Sequence, residues 1–207
     1  MIVIIDYKAG NLTSVQLGFG ALGLETRVTC DQAEIERADR LVFPGVGAAG
    51  AAMHNLKELG LVAPLRAAAA RGIPFLGICL GTQIILGRSE EDGGVDTLGL
   101  LAGQVRRFQP VVPTDKVPQI GWNSVDFRRP HPVLAGLAMG SEFYFVHSYY
   151  PAPANAADII GVTEYAGATF ASLLGRGNIV AAQFHPEKSG RIGLQLLKNF
   201  SDWDGKC

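Results

Sequence analysis

The fold is decided by residues 73–83, IPFLGICLGTQ, where an apolar run ends in a cysteine with a glycine two positions before it and another two positions after it. This pattern is typical of a nucleophile elbow, in which a buried strand turns sharply into a helix and presents one side chain at the turn. Neighbouring backbone comes so close at such a turn that only residues without a Cβ fit, which explains Gly77 and Gly81. A helix N-terminus at Cys79 would stabilise a thiolate. We therefore predict that Cys79 is a nucleophile.

Composition and charge limit what the chain can be. Its 207 residues, 48% of them hydrophobic, can bury a substantial core, and no linker or repeat divides them, so we expect one domain over residues 1–207. The net charge is −1 without clusters of like charge, which argues against nucleic acid or an anionic membrane as a partner. No apolar run approaches a membrane span, and residues 1–6 lack the basic flank of a signal peptide. We therefore expect a cytoplasmic protein.

The cysteines give no sign of a disulfide framework or a metal site. Cys30, Cys79 and Cys207 lie far apart in the sequence, and their number is odd. They form no Cys-x-x-Cys pair and no cluster with histidines, which are the usual zinc-binding patterns. We expect a reaction that needs neither a metal nor an organic cofactor.

Strands and helices alternate through the first half of the sequence. Short apolar runs, typical of strands buried on both faces, occur at residues 2–5, 26–30, 41–43 and 73–78. Helical patterns occupy residues 11–22 and 49–71, the second with a break near Pro64. This alternation predicts a parallel sheet covered by helices on both sides.

After about Gly99 the pattern changes to strands separated by turns. A turn at 175–178 predicts a hairpin into a strand at 179–184, and residues 190–203 form an amphipathic pattern that predicts a final helix. The other predicted strands cover 104–108, 124–127, 142–149, 159–164 and 170–174, and the final helix would turn Ile192, Leu196, Leu197 and Phe200 inward. The predicted fold class is α/β, a three-layer α/β/α sandwich with a mixed, largely parallel central sheet.

A thiol nucleophile needs a base, and the chain has four histidines. His54 lies in a helical stretch and His131 between two prolines, where solvated or capping histidines are the ordinary interpretation. His147 lies in an aromatic strand and is the reserve candidate. His185 follows the apolar run 179–184, so it emerges at a strand end, where open α/β sheets build their sites. We predict that His185 is the base.

Glu187 is the candidate that orients this base. Pro186 favours an extended conformation at His185, so a spacing of two residues can bring both side chains to one side. Glu187 could then accept a hydrogen bond from one ring nitrogen while the other nitrogen takes the thiol proton. The chain order of cysteine, histidine and glutamate argues against an α/β-hydrolase, in which the acid precedes the histidine.

Acyl transfer also needs donors for the developing oxyanion, and the segment FPGVG at 43–47 leaves a predicted strand with two glycines. We expect the N–H groups of Val46 or Gly47, together with that of Leu80, to form the oxyanion hole. The sequence 45–50 also matches the dinucleotide-binding pattern GxGxxG. That alternative is weak, because the next strand ends in a cysteine rather than in the acidic residue that such proteins carry there.

Three segments together resemble the signatures of the triad, or class I, glutamine amidotransferases: PGVG at 44–47, GICLGTQ at 77–83 and HPE at 185–187. Their order and spacing also match, and the resemblance extends from residue 2 to about residue 200. It implies that glutamine is hydrolysed through a glutamyl thioester on Cys79.

Further segments resemble one branch of that family, the glutaminase subunits of imidazole glycerol phosphate synthase in histidine biosynthesis: DYKAGN at 6–11, GWN at 121–123 and YFVHSY at 144–149. This resemblance implies that ammonia passes to a separate (β/α)8-barrel cyclase subunit, which makes imidazole glycerol phosphate and an aminoimidazole carboxamide ribonucleotide. The chain departs from the branch pattern at Gln119-Ile120, where a histidine and a methionine usually precede Gly-Trp-Asn.

The resemblance also implies roles for individual residues. Gln83 and Glu91 would hold the glutamine substrate, with Glu91 as the partner of its α-amino group. The remaining substrate-binding positions would be Gly45, His147, Ser148 and Tyr149. The partner interface would include Lys8, Asn11, Trp122, Tyr144 and Lys188.

Two alternatives stay open at this point. The chain could be the glutaminase subunit of another pathway, such as pyridoxal phosphate or anthranilate synthesis, which would share the triad without the DYKAGN and GWN segments. It could also be a non-catalytic binding module of the same fold, although nucleophile, base and orienting acid are all present. For Trp122, simple core packing is the alternative to an interface role.

Overall fold

The computed structural model describes residues 1–112 and 114–206. The strands of its first half, in chain order, are β1 (Ile2–Ile5), β2 (Thr26–Thr29), β3 (Arg40–Phe43), β4 (Phe75–Ile78), β5 (Arg88–Ser89), β6 (Val95–Asp96) and β7 (Gly103–Arg107). Those that follow are β8 (Gln119–Ser124), β9 (Asp126–Phe127), β10 (Glu142–His147), β11 (Tyr149–Pro153), β12 (Ile159–Tyr165), β13 (Ala168–Arg176) and β14 (Ile179–Ala182).

The helices are α1 (Leu12–Gly20), α2 (Gln32–Glu36), α3 (Ala49–Glu58), α4 (Val62–Ala70), α5 (Leu80–Ile84) and α6 (Gly190–Asp202). Short 3₁₀ turns occur at Glu91–Gly93, Pro132–Leu134, Ala156–Asp158 and Pro186–Lys188. Among the residues that the structure describes, no helix is both long and apolar enough to cross a membrane.

The central sheet has eight strands in the order β2-β1-β3-β4-β14-β13-β12-β9. Strands β2, β1, β3, β4 and β14 run parallel, and β13, β12 and β9 continue the sheet in antiparallel fashion. A two-stranded sheet pairs β10 with β8, and a four-stranded sheet has the order β11-β7-β5-β6. The predicted mixed, largely parallel sheet is confirmed, and the crossovers place β4 and β14 side by side at its centre.

Both faces of the central sheet are covered, and its strands β1, β4 and β14 are accordingly apolar at every position. Val3 and Ile5 of β1 join a buried cluster with α2, α3 and α4, whereas Ile2 and Ile4 join a second cluster with α1 and α6 on the opposite face. Large buried side chains of this kind each contribute about 1.5–3 kcal/mol to stability. The predicted three-layer α/β/α arrangement is confirmed.

The structure corrects three details of the predicted elements. The break between α3 and α4 falls at residues 59–61, where Gly60 has φ 66°, and not at Pro64. Pro64 lies in the first turn of α4, where a backbone N–H has no intrahelical partner to lose. Ile192 is 36% exposed, because Gly193 packs against the Pro186 main chain and turns its own face of α6 inward.

The third correction concerns two predicted strands, 142–149 and 124–127, each of which is divided between two strands. Residues of β10 pair with β8, and after Ser148 the chain changes partner so that β11 pairs with β7. The predicted strand 124–127 divides in a similar way between β8 and β9. Partner changes leave no periodicity signal, since both strands alternate in the same manner.

Candidate active site

The turn from β4 into α5 has the strained form that the flanking glycines predict. Cys79 has φ 52° and ψ −107°, a backbone conformation that costs a residue with a side chain about 1–3 kcal/mol. A Cβ on Gly81 would overlap the carbonyl oxygen of Phe43, and one on Gly77 would lie 3.1 Å from the Cβ of Ala181. These close approaches hold the cysteine in place. Cys79 is buried, with 6% of its surface exposed.

His185 reaches the same edge of the sheet through the neighbouring strand. Strand β14 runs parallel to β4 with Ala182 opposite Ile78, so the residues that follow both strands emerge together. The Nδ1 atom of His185 lies 2.7 Å from Oε1 of Glu187, and both side chains are almost fully buried. The structure therefore brings together the three residues predicted as nucleophile, base and orienting acid.

The surroundings of His185 favour its charged form. Burial disfavours the imidazolium, but the Cys79 side chain and the Glu187 carboxylate outweigh burial and raise the pKa of His185 to about 10. Its Nε2 atom is buried and has no hydrogen bond of ordinary geometry within the protein. A proton on that nitrogen is therefore available to a group that reacts at Cys79.

A cavity of about 300 Å³ opens in front of the cysteine. It is lined by nine residues that the sequence predicts for the site, Val46, Gly47, Cys79, Leu80, Gln83, Glu91, His147, Ser148 and Tyr149, and by two that it does not, Pro118 and Val146. The predicted Gly45 lies beneath this lining, where a Cβ would be 2.8 Å from the Cβ of Leu80.

The loop predicted to form the oxyanion hole lies directly against the nucleophile turn. The N–H of Leu80 points to the carbonyl oxygen of Gly45, with 3.3 Å between N and O. Val46 and Gly47 are exposed at the mouth of the cavity, and Gly47 has φ 99°. In this conformation one of the predicted oxyanion donors already has an acceptor, the carbonyl oxygen of the loop itself.

Glu91 has a structural contact as well as a place in the cavity wall. Its Oε2 accepts the N–H of Ala49 at 2.7 Å, and Oδ2 of Asp92 accepts the N–H of Gly50 at 3.1 Å. These two carboxylates cap α3, whose own N-cap residue, Ala48, has no side chain that could do so. Burial raises the pKa of Glu91; the bond from Ala49 opposes this, and Asp92 adds to it.

Gln83 is held by contacts that decide which of its atoms faces the cavity. Its Nε2 donates to the carbonyl oxygen of Tyr149 at 2.8 Å and to Oε1 of Gln183 at 3.0 Å. Both amide hydrogens are thereby used, so Oε1 is the atom that Gln83 can offer to a ligand. Gln183 in turn directs its Nε2 at the Cys79 sulfur, 3.8 Å away.

His147, the reserve base, is bound to the main chain rather than to a carboxylate. Its Nδ1 donates to the carbonyl oxygen of Tyr149 at 2.7 Å. Burial lowers the pKa of His147 to about 4; the bond to Tyr149 opposes this, and the nearby His185 adds to it. The ring is therefore neutral at pH 7, with a buried Nε2 that has no partner.

The residues predicted for a partner interface are on or near the surface. Lys8, Trp122 and Lys188 are exposed, whereas Asn11 and Tyr144 are half-buried. Asn11 also caps α1 by accepting the N–H of Ser14 at 3.3 Å. Trp122 is 56% exposed, which excludes simple core packing, and its ring meets that of Tyr144 edge-on across the β8–β10 pair.

Sequence reasoning missed two buried polar residues beside the nucleophile. Gln183 lies two positions before His185, inside the segment 179–184 that was interpreted only as an apolar strand. Tyr7 is fully buried, its hydroxyl has no partner, and it packs so closely that a Cβ on Gly45 would overlap its oxygen. For Gln183 the available signal was a polar side chain within an apolar run; Tyr7 follows Asp6 in a polar segment and gives no such signal.

Comparisons with known proteins show which family the chain belongs to. The model of the family "Glutamine amidotransferase class-I" matches residues 3–202. The chain is 50% identical over 201 residues to "Imidazole glycerol phosphate synthase subunit HisH" of Moorella thermoacetica, covering 97% of this chain and 94% of that protein. It is 48% identical over 206 residues to the protein of the same name from Syntrophotalea carbinolica, covering 98% and 100% of the two chains.

A solved structure shows the same fold at much lower identity. The "Structure of PurLQS from Thermotoga maritima" superposes with a TM-score of 0.73 at 16% identity, over 97% of both chains. Such a distant match supports the fold alone. The family model and the relatives of nearly equal length decide the rest: this chain belongs to the class-I glutamine amidotransferases and, within them, to the HisH subunits of imidazole glycerol phosphate synthase.

Proposed function

We propose that this chain is the glutaminase subunit of an imidazole glycerol phosphate synthase, which hydrolyses L-glutamine to glutamate and ammonia and supplies the ammonia to a cyclase subunit in L-histidine biosynthesis. The observation that carries the proposal is the buried Cys79, held in a strained turn beside the paired His185 and Glu187 at one wall of a cavity. The HisH relatives support the same pathway, whereas a pyridoxal phosphate or anthranilate enzyme has no support among the relatives named above.

The triad can carry out the reaction in two steps. The Cys79 sulfur attacks the side-chain carboxamide carbon of glutamine, and the C–N bond breaks as His185 gives the leaving nitrogen a proton, which releases ammonia and leaves a glutamyl thioester. A water molecule then gives a proton to His185 and attacks the thioester carbon, and the C–S bond breaks to release glutamate. Glu187 fixes the ring tautomer and stabilises the imidazolium.

The oxyanion that forms in each step needs hydrogen-bond donors, and in this structure the loop at residues 44–47 occupies one of them. The N–H of Leu80 is directed at the Gly45 carbonyl oxygen, so the loop must rotate a peptide unit before this N–H can meet an oxyanion. Gly45 and Gly47 permit such a rotation at low cost. We infer that the active state turns the N–H of Val46 or Gly47 inward and releases that of Leu80.

Glutamine recognition follows from the polarity of the cavity wall. Gln83 offers Oε1, an acceptor that suits the N–H₂ of the substrate carboxamide or an ammonium group. Glu91, whose other carboxylate oxygen is free of the Ala49 bond, suits the substrate α-amino group. The neighbouring Gly45, His147, Ser148 and Tyr149 complete the site that we propose for glutamine.

The partner that receives the ammonia is proposed to be a (β/α)8-barrel cyclase, which would convert a ribulosyl nucleotide into imidazole glycerol phosphate and an aminoimidazole carboxamide ribonucleotide. Exposed apolar side chains on β8, Ile120 at 63% and Trp122 at 56%, provide a docking surface near the triad. Tyr144 joins this surface to the triad segment, since its carbonyl oxygen accepts the N–H of His185 at 2.9 Å. Lys8, Asn11 and Lys188 would extend this docking surface. We also propose that the protein is cytoplasmic.

The first test concerns the nucleophile. Cys79→Ala is expected to abolish glutaminase activity with the melting temperature almost unchanged, because the sulfur forms the covalent intermediate and contributes little volume to the core. Cys30→Ala, which removes an exposed free thiol, is the matched control and should keep full activity. A glutamine-analogue electrophile should label Cys79 in preference to Cys30 or Cys207, the last of which lies outside the described residues. Near-normal turnover by Cys79→Ala would refute the proposal.

The second test concerns the partner. Steady-state glutaminase rates should be low for the isolated subunit, higher with the cyclase, and highest when a nucleotide intermediate or analogue is also present. Trp122→Ala should weaken this activation, whereas Met139→Ala, which truncates another exposed apolar side chain, should not. Full activity of the isolated subunit, unchanged by either addition, would exclude activation by docking and leave the triad proposal intact.

A further inference from the structure

A chain of side-chain amides leads from the glutamine cavity to the nucleophile. We propose that Gln183 is a catalytic residue of the proposed glutaminase reaction, because its amide N–H donates to the Cys79 sulfur and stabilises the thiolate, while Gln83 fixes the orientation of that amide. The inference rests on the proposed function, since it adds a residue to the same site. Neither the triad signatures nor the oxyanion loop includes Gln183.

The position of Gln183 is well defined by its contacts. It is fully buried directly after β14, its backbone N–H donates to the Ser172 carbonyl oxygen at 2.9 Å, and its Nε2 lies 3.8 Å from the Cys79 sulfur. Its Oε1 accepts the N–H of Gln83 at 3.0 Å. Both ends of the amide therefore have a partner, and one of those partners is the reacting atom.

The direction of each hydrogen bond is determined by a main-chain group that cannot be reversed. The Tyr149 carbonyl oxygen can only accept, so Gln83 must turn its Nε2 toward it. The second hydrogen of that nitrogen requires an acceptor, which is Oε1 of Gln183. Gln183 must consequently present Nε2, a donor, to the sulfur.

The Cys79 sulfur needs the donor of Gln183 because the carbonyl oxygen on its other side can only accept a hydrogen bond. The Val146 carbonyl oxygen lies 3.8 Å from the Cys79 sulfur, an arrangement that suits a thiol and repels a thiolate. Hydrogen bonds to a charged form favour that form. Gln183 thus stabilises negative charge on sulfur before the attack on glutamine, and again when the C–S bond of the thioester breaks and its electron pair returns to sulfur.

Gln183→Met tests the donor, since methionine has a similar length and cannot donate. We expect kcat to fall about tenfold with KM changed less than twofold, the size that follows from losing one hydrogen bond to a charged group. Gln183→Glu keeps the shape, removes the donor and adds a negative charge, so its kcat should fall further. Gln83→Met frees the Gln183 amide to rotate. It should lower the reactivity of Cys79, but by less than Gln183→Met does.

The decisive readout does not depend on glutamine turnover. The rate at which iodoacetamide alkylates Cys79 near neutral pH, followed by peptide mass mapping in the full chain, should fall about tenfold in Gln183→Met. Exposed Cys30 in the same sample is an internal standard and should react at a constant rate. Thr97→Val, which removes a buried 2.6 Å hydrogen bond to the Leu86 carbonyl oxygen, controls for the general effect of losing a buried polar contact.

The outcomes separate the two proposals. Slower alkylation of Cys79 in Gln183→Met and Gln183→Glu, but not in Thr97→Val, supports the role of Gln183. Wild-type rates of alkylation and turnover in both Gln183 variants would overturn it. If wild-type Cys79 is reactive yet glutamine is not hydrolysed even with the cyclase present, the proposed function fails, and the alkylation rates still decide whether Gln183 stabilises the thiolate.

Discussion

His147 and His185 lie close enough to interact, and both are buried, yet their surroundings move their pKa values in opposite directions. His185 pairs Nδ1 with a carboxylate and interacts with the Cys79 sulfur, and its pKa is raised to about 10 against the effect of burial. His147 pairs Nδ1 with a carbonyl oxygen, and its pKa is lowered to about 4, chiefly by burial. Both keep a buried Nε2 without a hydrogen-bond partner.

Burial therefore does not by itself decide the charge of a histidine. A carbonyl oxygen orients the His147 ring but does not compensate the desolvation of a charge, whereas Glu187 and Cys79 compensate it for His185. His185 can therefore hold and move a proton at neutral pH. The fixed neutral tautomer of His147 suits a structural part of the cavity wall.

The difference between the two histidines should be greatest in turnover. His185→Ala should lower kcat by about 10²–10⁴-fold, the range for losing general acid–base catalysis, whereas His147→Ala should cost clearly less. Steady-state glutaminase assays with the cyclase present, together with melting curves for each variant, provide the measurement. If His147→Ala is the more damaging change and His185→Ala is nearly silent, the base must be reassigned to His147.

The second test measures stability in acid. An unfolded histidine takes up a proton near pH 6.5, but folded His147 does so only near pH 4, so the unfolded state binds more protons between these values and stability falls as pH falls. Relative to His147→Gln, whose amide can still donate to Tyr149, the wild type should lose about 3 kcal/mol between pH 7.5 and pH 4. His131, whose pKa burial also lowers to about 4, contributes equally to both proteins. Parallel stability profiles from urea unfolding would contradict the assigned pKa of His147.

The third test removes the charge next to His185 while keeping an acceptor for Nδ1. Glu187→Gln should lower kcat about tenfold, less than His185→Ala, because a neutral amide orients the ring but stabilises the imidazolium less. Imidazole NMR titration should show a lower pKa for His185 and an unchanged pKa for His147. The exposed Glu58→Gln is the control. An unaltered His185 titration would mean that Glu187 contributes geometry alone.

The smallest effect concerns a third buried polar group near the same site. Burial and, to a lesser degree, Cys79 raise the pKa of the Tyr7 phenol, whose hydroxyl has no partner. Tyr7→Phe should therefore leave the unfolding free energy unchanged or raise it by up to about 1 kcal/mol, because it removes an unpaired polar atom and keeps the ring. A loss of more than this amount in urea unfolding would reveal an acceptor for the hydroxyl.

Much of the fold follows from local patterns in the sequence. Residues 2–5 and 75–78 are apolar throughout because both of their faces are buried, and the structure has strands at these positions. Partner changes at Ser148 were missed, since strand pairing depends on residues far away in the chain. The helix break at Gly60 was misplaced at Pro64 because proline in a first helical turn looks, in sequence, like proline in a helix interior.

In the candidate site, too, some residues could be predicted from local sequence and others depend on distant parts of the chain. Cys79, His185 and Glu187 could be predicted because each lies in a short segment whose backbone demands are visible in its glycine and proline residues. Gln183 could not, since its role depends on Gln83, a hundred positions earlier in the chain, and on a carbonyl oxygen in a third segment. The cap that Glu91 provides for α3 likewise depends on a contact across 42 positions.

The order of strands and helices, the nucleophile turn and the family can all be inferred from the sequence, because they depend on side-chain volume and backbone freedom within a few neighbouring residues. The three-dimensional structure is needed to see that His185 favours its charged form, which way each amide points and where the Leu80 N–H is directed. Those properties arise from burial and from partners that distant strands bring together, and electrostatic and hydrogen-bond energies depend on distance in space rather than on separation along the chain.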